Sequence, residues 1–214
     1  MRPLVLAVSL MLSAAAARGE DLRVLGPDPD DWSHRVAHVA ELNRCQDDGD
    51  PLNTPIVACA GTACARHGPI ALDADEAAAI RRLFVPAAAD AQAERRAIGG
   101  AIALFETFVG SRNGTWAALP RNEHSADDDA GQMDCISEAS NTRTYLDRLE
   151  RAGLLSHHRP GDFVMRYLLL LQHVAVAITD RDDGEEYVVD SWVGANGDEP
   201  EIAPYSQWRA QWGV

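Results

Sequence analysis

Residues 172–192, QHVAVAITDRDDGEEYVVDSW, carry two runs of strand-forming residues on either side of a turn signal. HVAVAI and YVVDSW are rich in β-branched and aromatic side chains, and Asp183-Gly184 between them favours a hairpin. The register that pairs Val174 with Val189 and Val176 with Tyr187 sets His173 opposite Asp190. Opposed residues have Cβ atoms roughly 5 Å apart on one face, close enough for a carboxylate to hold an imidazole by its second nitrogen. A slip of two residues leaves His173 and Asp190 diagonal neighbours on that face. A slip of one puts them on opposite faces and breaks the pairing.

Upstream, residues 163–171 are again rich in strand formers, and before them the period changes. In 131–153, Ile136, Ala139, Leu146 and Leu149 repeat at helical spacing, and Gly153 closes the run. This helix opens in the stretch GQMDCISEAS, with Asp134 as its N-cap and Cys135 in its first turn. A thiol becomes a strong nucleophile as thiolate, which the positive end of a helix dipole and a neighbouring imidazole both favour. Cys135, His173 and Asp190 therefore suit the roles of nucleophile, base and group that orients the base.

The first half reads as mainly helical. Residues 32–45 carry Trp32, Val36, Val39 and Leu42 at helical spacing, and an Asp-, Gly- and Pro-rich loop follows. Residues 73–84 form a second helix, with Asp75 as its cap and Pro86 as its stop. Residues 90–109 form a third, with Ile98, Ile102, Phe105 and Val109 on one stripe and Gly110 beyond its end. Residues 111–131 read as loop, and the tail YSQWRAQW as a short helix whose Trp208 and Trp212 fill core. His157 and His158 read as exposed polar residues at a loop or strand edge. Helices first and strands afterwards give an α+β fold.

From DCISEASNTRTYL through QHVAVAI to YVVDSW, the chain resembles the transglutaminase-like branch of the papain-like cysteine peptidases, bacterial exported members in particular. The resemblance covers the last 85 or so residues. It implies a core in which a cysteine-bearing helix is packed on an antiparallel sheet, with Cys135 as nucleophile, His173 as base and acid, and Asp190 as orienting carboxylate. It also implies amide cleavage of a protein or peptide through a thioester, with transfer to an amine as the transglutaminase variant. Related enzymes place an upstream glutamine at the oxyanion, which makes Gln132 a candidate beside the Cys135 amide. Two other readings stand beside the hydrolase: an inactive relative that binds a partner protein or cell-wall component, and a structural one in which all four cysteines are bridged.

The chain of 214 residues is 46% hydrophobic and 24% charged, a composition fit for a packed core. A net charge of −14, with all 19 basic residues arginine, leaves no patch to neutralise phosphates and excludes nucleic acid as a partner. Residues 1–19 read as a secretory signal: Arg2, a short apolar run and small residues near Ala17. The division is then a signal at 1–19, a mainly helical region at 20–125 and a catalytic core at 126–214, in a periplasmic or secreted protein without a transmembrane segment. In such an oxidising compartment, with Cys135 free, a Cys59–Cys64 or Cys45–Cys64 bridge is expected. That compartment and the spacing both disfavour Cys45, Cys59, Cys64 and His67 as zinc ligands. DRDDGEE misses the spacing of a calcium loop, and 127–129 reads as a solvated acidic loop. The chemistry calls for no cofactor and no metal.

Overall fold

A computed structural model describes residues 32–44, 49–122, 131–168 and 171–211. The signal segment, Cys45, the acidic run 127–129 and Trp212 lie outside the described residues.

The chain opens with α1 (Trp32–Arg44) and an antiparallel hairpin of β1 (Ile56–Ala60) and β2 (Arg66–Ile70). α2 (Ala74–Arg82) and α3 (Ala91–Asn113) follow, then α4 (Cys135–Arg151). A four-stranded antiparallel sheet comes after them in the order β3 (His158–Leu168), β4 (Leu171–Asp180), β5 (Glu186–Asp190) and β6 (Glu201–Pro204), closed by α5 (Tyr205–Ala210). The α+β class stands. No described helix is long and apolar enough to cross a membrane.

The sheet is covered on both faces. Val174, Val176, Ile178 and Val189 join the main core with Ile98, Ile102 and Phe105 of α3 and Leu146 and Leu149 of α4. Val164, Ala175, Ala177, Val188 and Ala203 point the other way, against Trp208 of α5. The main core runs on into the first half through Leu52, Ile56, Ile70 and Ile80, so the helical region and the sheet share one interior.

Several sequence expectations shift. The β4–β5 register pairs Val176 with Val189 and Ile178 with Tyr187, a slip of two from the alignment that set His173 opposite Asp190. α2 is capped by Asp73 and not by Asp75: the Asp73 carboxylate accepts from the amides of Asp75 and Glu76, while Glu76 answers from the third position. α3 does not stop before Gly110 but runs to Asn113 and ends at Gly114, whose φ of 87° suits a left-handed cap. Gly110 sits inside the helix because Asn196 crosses it so closely that a Cβ there would lie 2.6 Å from the Asn196 Oδ1.

β1 was not legible as a strand because all five of its residues are buried, which removes the alternation that marks one. His158 is fully buried and not exposed. The carboxylate of Glu94, itself buried, accepts from the amides of Ser156, His157 and His158 and meets His158 Nδ1 at 3.0 Å. Burial pushes the Glu94 pKa up, yet His158 and these amides pull it below the ordinary carboxylate value.

Candidate active site

Cys135 is the first residue of α4, as the sequence implies. Asp134 caps the helix: its Oδ1 accepts from the Ser137 amide at 2.9 Å and its Oδ2 from the Ala63 amide at 2.8 Å. Ser137 completes the junction, its hydroxyl donating to the Gly61 carbonyl at 2.6 Å and accepting from the Cys64 amide at 2.8 Å. A Cys59–Cys64 disulfide closes this 59–64 loop, which excludes both the zinc set and the fully bridged reading, since Cys135 is a free thiol. One turn further on, Asn141 trades both of its amide groups with the Cys59 backbone. The first two turns of the cysteine helix are thus fixed to a covalently closed loop.

The Cys135 Sγ lies 3.9 Å from the Gln172 carbonyl and takes a hydrogen bond from the Val174 amide. These two groups flank His173 on β4, beyond the last β4–β5 residue pair. His173 projects from the opposite sheet face to Val174, the face of Ala175 and Ala177, so the thiol reaches its neighbourhood past the strand backbone.

His173 is 2% exposed, with the ring of Trp192 at 4.7 Å and that of Trp208 at 5.7 Å from its own. Its Nε2 lies 2.6 Å from Asp190 Oδ2, which also accepts from the Trp208 indole N–H at 2.7 Å. An ionised carboxylate only accepts, so Nε2 carries the proton and Nδ1 presents its lone pair. Nδ1 is buried without a hydrogen-bond partner among the described residues, and none joins it to the Cys135 sulfur.

The Cys135 residue is half-buried. Burial pushes its pKa up to about 12; the Val174 amide lowers it, and the charges of Asp134 and Asp190 raise it further.

One of the two amide N–H groups of Gln132 is engaged away from the sulfur. Its Oε1 accepts from the Leu119 amide and the Asn122 side chain, and its Nε2 donates to the Ala117 carbonyl. It fastens the 117–122 loop, whose Asn122 carbonyl accepts from the Trp192 indole at 3.3 Å.

Sequence reasoning missed two features here. Trp208 reads as core filler, yet it donates to the candidate triad's carboxylate. Glu106 of α3 and Glu138 of α4 fall off the apolar stripes, yet both are buried. The Glu106 Oε2 accepts from the Gly197 amide at 3.0 Å, while its Oε1 and the Glu138 Oε2 have no partner among the described residues. Burial raises the Glu106 pKa to about 7, against hydrogen bonds from Gly197 and Ser191 that lower it. Burial also holds Glu138 well above the ordinary range, helped by Glu106, Asp134 and Asp190. Ser191, next to Asp190, bonds Thr142 of α4 at 2.8 Å. No group of three or more acidic, histidine or cysteine side chains among the described residues is arranged to hold a metal ion. Compared with known proteins, the chain matches no family model, no curated sequence and no solved structure.

Proposed function

We propose that the protein is an exported thiol hydrolase that cleaves amide bonds of a protein or peptide, with Cys135, His173 and Asp190 as its triad and a papain- or transglutaminase-like core. The observation that carries the reading is the 2.6 Å contact of His173 Nε2 with Asp190, which leaves a buried Nδ1 free while the Cys135 sulfur lies against the backbone on both sides of His173. A histidine serving only as core would have both ring nitrogens satisfied.

In the reaction, the Cys135 proton passes to His173 Nδ1 as sulfur attacks the carbonyl carbon. The Cys135 amide, at the first position of α4 where helix geometry offers no carbonyl partner, donates to the developing oxyanion. The tetrahedral intermediate collapses, the C–N bond breaks, and imidazolium gives its proton to the leaving amine. Water then gives a proton to His173 and its oxygen to the thioester, releasing the acid and restoring the thiol. Since the resting thiol is neutral, the ion pair forms when the site closes around substrate and the ring and sulfur meet.

The test is carboxamidomethylation of Cys135 at pH 6–7, beside hydrolysis of a peptide library by the wild-type protein and Cys135→Ala. The expected result is cleavage by the wild-type protein that Cys135→Ala, or prior carboxamidomethylation of Cys135, abolishes. No cleavage by the unlabelled wild-type protein favours the second reading: a catalytically silent relative that binds a partner protein. The thiol pKa of about 12 and the lack of a sulfur–imidazole hydrogen bond are what speak for it.

A further inference from the structure

We propose that Trp208 is a positioning residue of this site, its indole N–H holding the Asp190 carboxylate so that the carboxylate in turn fixes the tautomer and tilt of His173. The inference rests on the reading of Cys135, His173 and Asp190 as a triad.

Asp190 is 1% exposed, and its two oxygens are treated very differently. Oδ2 accepts from both His173 Nε2, at 2.6 Å, and Trp208 Nε1, at 2.7 Å, whereas Oδ1 has no partner among the described residues. A buried carboxylate that rotates loses whatever orientation it imposes on its imidazole. A second donor on the same oxygen as the imidazole opposes that rotation. Indole suits the task because it donates one neutral hydrogen bond. An arginine in its place would form a competing ion pair and drain the carboxylate's pull on the imidazolium.

Trp208 is itself braced. Arg166, the cross-strand partner of His173 on β3, donates to the Trp208 carbonyl at 2.8 Å and to Gln211 Oε1 at 3.0 Å. Its guanidinium carbon lies 4.6 Å from the centre of the Trp208 ring, within cation–π range. Arg166 thus spends its geometry on the tryptophan and acts on Asp190 through space alone. Strand β4 and helix α5 thus converge on one carboxylate oxygen of β5, with β3 bracing the helix through Arg166. The charged and titratable groups that act around it include Arg166 from β3, Cys135 and Glu138 from α4, and, through Arg166, Glu201 of β6 and Arg121 of the 117–122 loop.

The test needs no substrate. The ¹⁵N spectrum of the histidines reads the His173 tautomer directly, and the wild-type ring is expected to carry its proton on Nε2. Trp208→Phe keeps a ring and removes the donor. With the carboxylate free to rotate, part of the population shifts to the Nδ1-protonated form and the two ring-nitrogen resonances move towards each other. Trp192→Phe, which contacts the same ring but donates elsewhere, leaves the tautomer in place.

An unchanged tautomer in a folded Trp208→Phe protein overturns the inference. A wild-type His173 protonated on Nδ1 overturns the triad reading instead. If Trp208→Phe does not fold, the wild-type protein labelled with ¹⁵N-tryptophan carries the test. The Trp208 indole N–H resonance is expected to move with the His173 titration, and a resonance indifferent to it overturns the inference.

Discussion

His173 and Asp190 share a 2.6 Å hydrogen bond without being cross-strand partners. Extending the β4–β5 register by one place sets Asp190 opposite Ala175, so the bond runs diagonally between strands. The diagonal is spanned because imidazole is long enough to lean along its strand, towards the end where β5 stops pairing. Asp190→Asn leaves the shape unchanged but offers an amide N–H to the ring, which turns the tautomer so that Nδ1 carries the proton. Turnover of a peptide substrate is expected to fall about a hundredfold or more. ¹⁵N spectra of the histidines check that the tautomer, and not the fold, has changed.

The hairpin and the cysteine helix were legible in the sequence because their signals are local: β-branched runs around Asp183-Gly184, and an N-cap aspartate before an apolar stripe at helical spacing. The register was not, since two odd offsets bury the same residues and only the packing of the whole sheet chooses between them. The thiol's electrostatic state was also out of reach, because it depends on how deeply α4 is covered by the loop at 59–64. Nor did composition reveal Glu94, Glu106 and Glu138 as interior, since buried acids are rare enough to be read as surface by default.

Glu106→Gln tests that interior acid. The folded protein holds the Glu106 proton up to about pH 7, whereas an unfolded chain releases it near 4.5. The contribution to stability is therefore fully present below pH 4.5 and is lost as pH rises to 7, and Glu138 acts in the same sense. The amide should raise stability at pH 8 by on the order of 3 kcal/mol and change it little at pH 4. Denaturant melts at the two pH values make the comparison.

Removing the bridge with the double change Cys59→Ser and Cys64→Ser should cost about 2 kcal/mol through chain entropy alone. Beyond stability, the loop would loosen its grip on Asp134 and Ser137, where Ala63 and Cys64 adopt φ values of 49° and 57° that are costly outside glycine. Amide exchange in the first turn of α4 is expected to quicken. Unchanged exchange there would show that the cap holds without the covalent closure.

Gln132→Ala should cost about 1–3 kcal/mol, since it strips a partner from the buried side of the 117–122 loop. The Leu119 amide is expected to lose its protection against exchange. If instead stability is kept and turnover collapses, the glutamine serves the oxyanion after all.

The indole on which Asp190 leans belongs to α5, a six-residue helix that buries Trp208 and little else of itself. So short a segment frays at a lower temperature than the strands beneath it, with little change in overall melting. Warming should accordingly silence the chemistry while the sheet is still intact, and cooling should restore it without refolding.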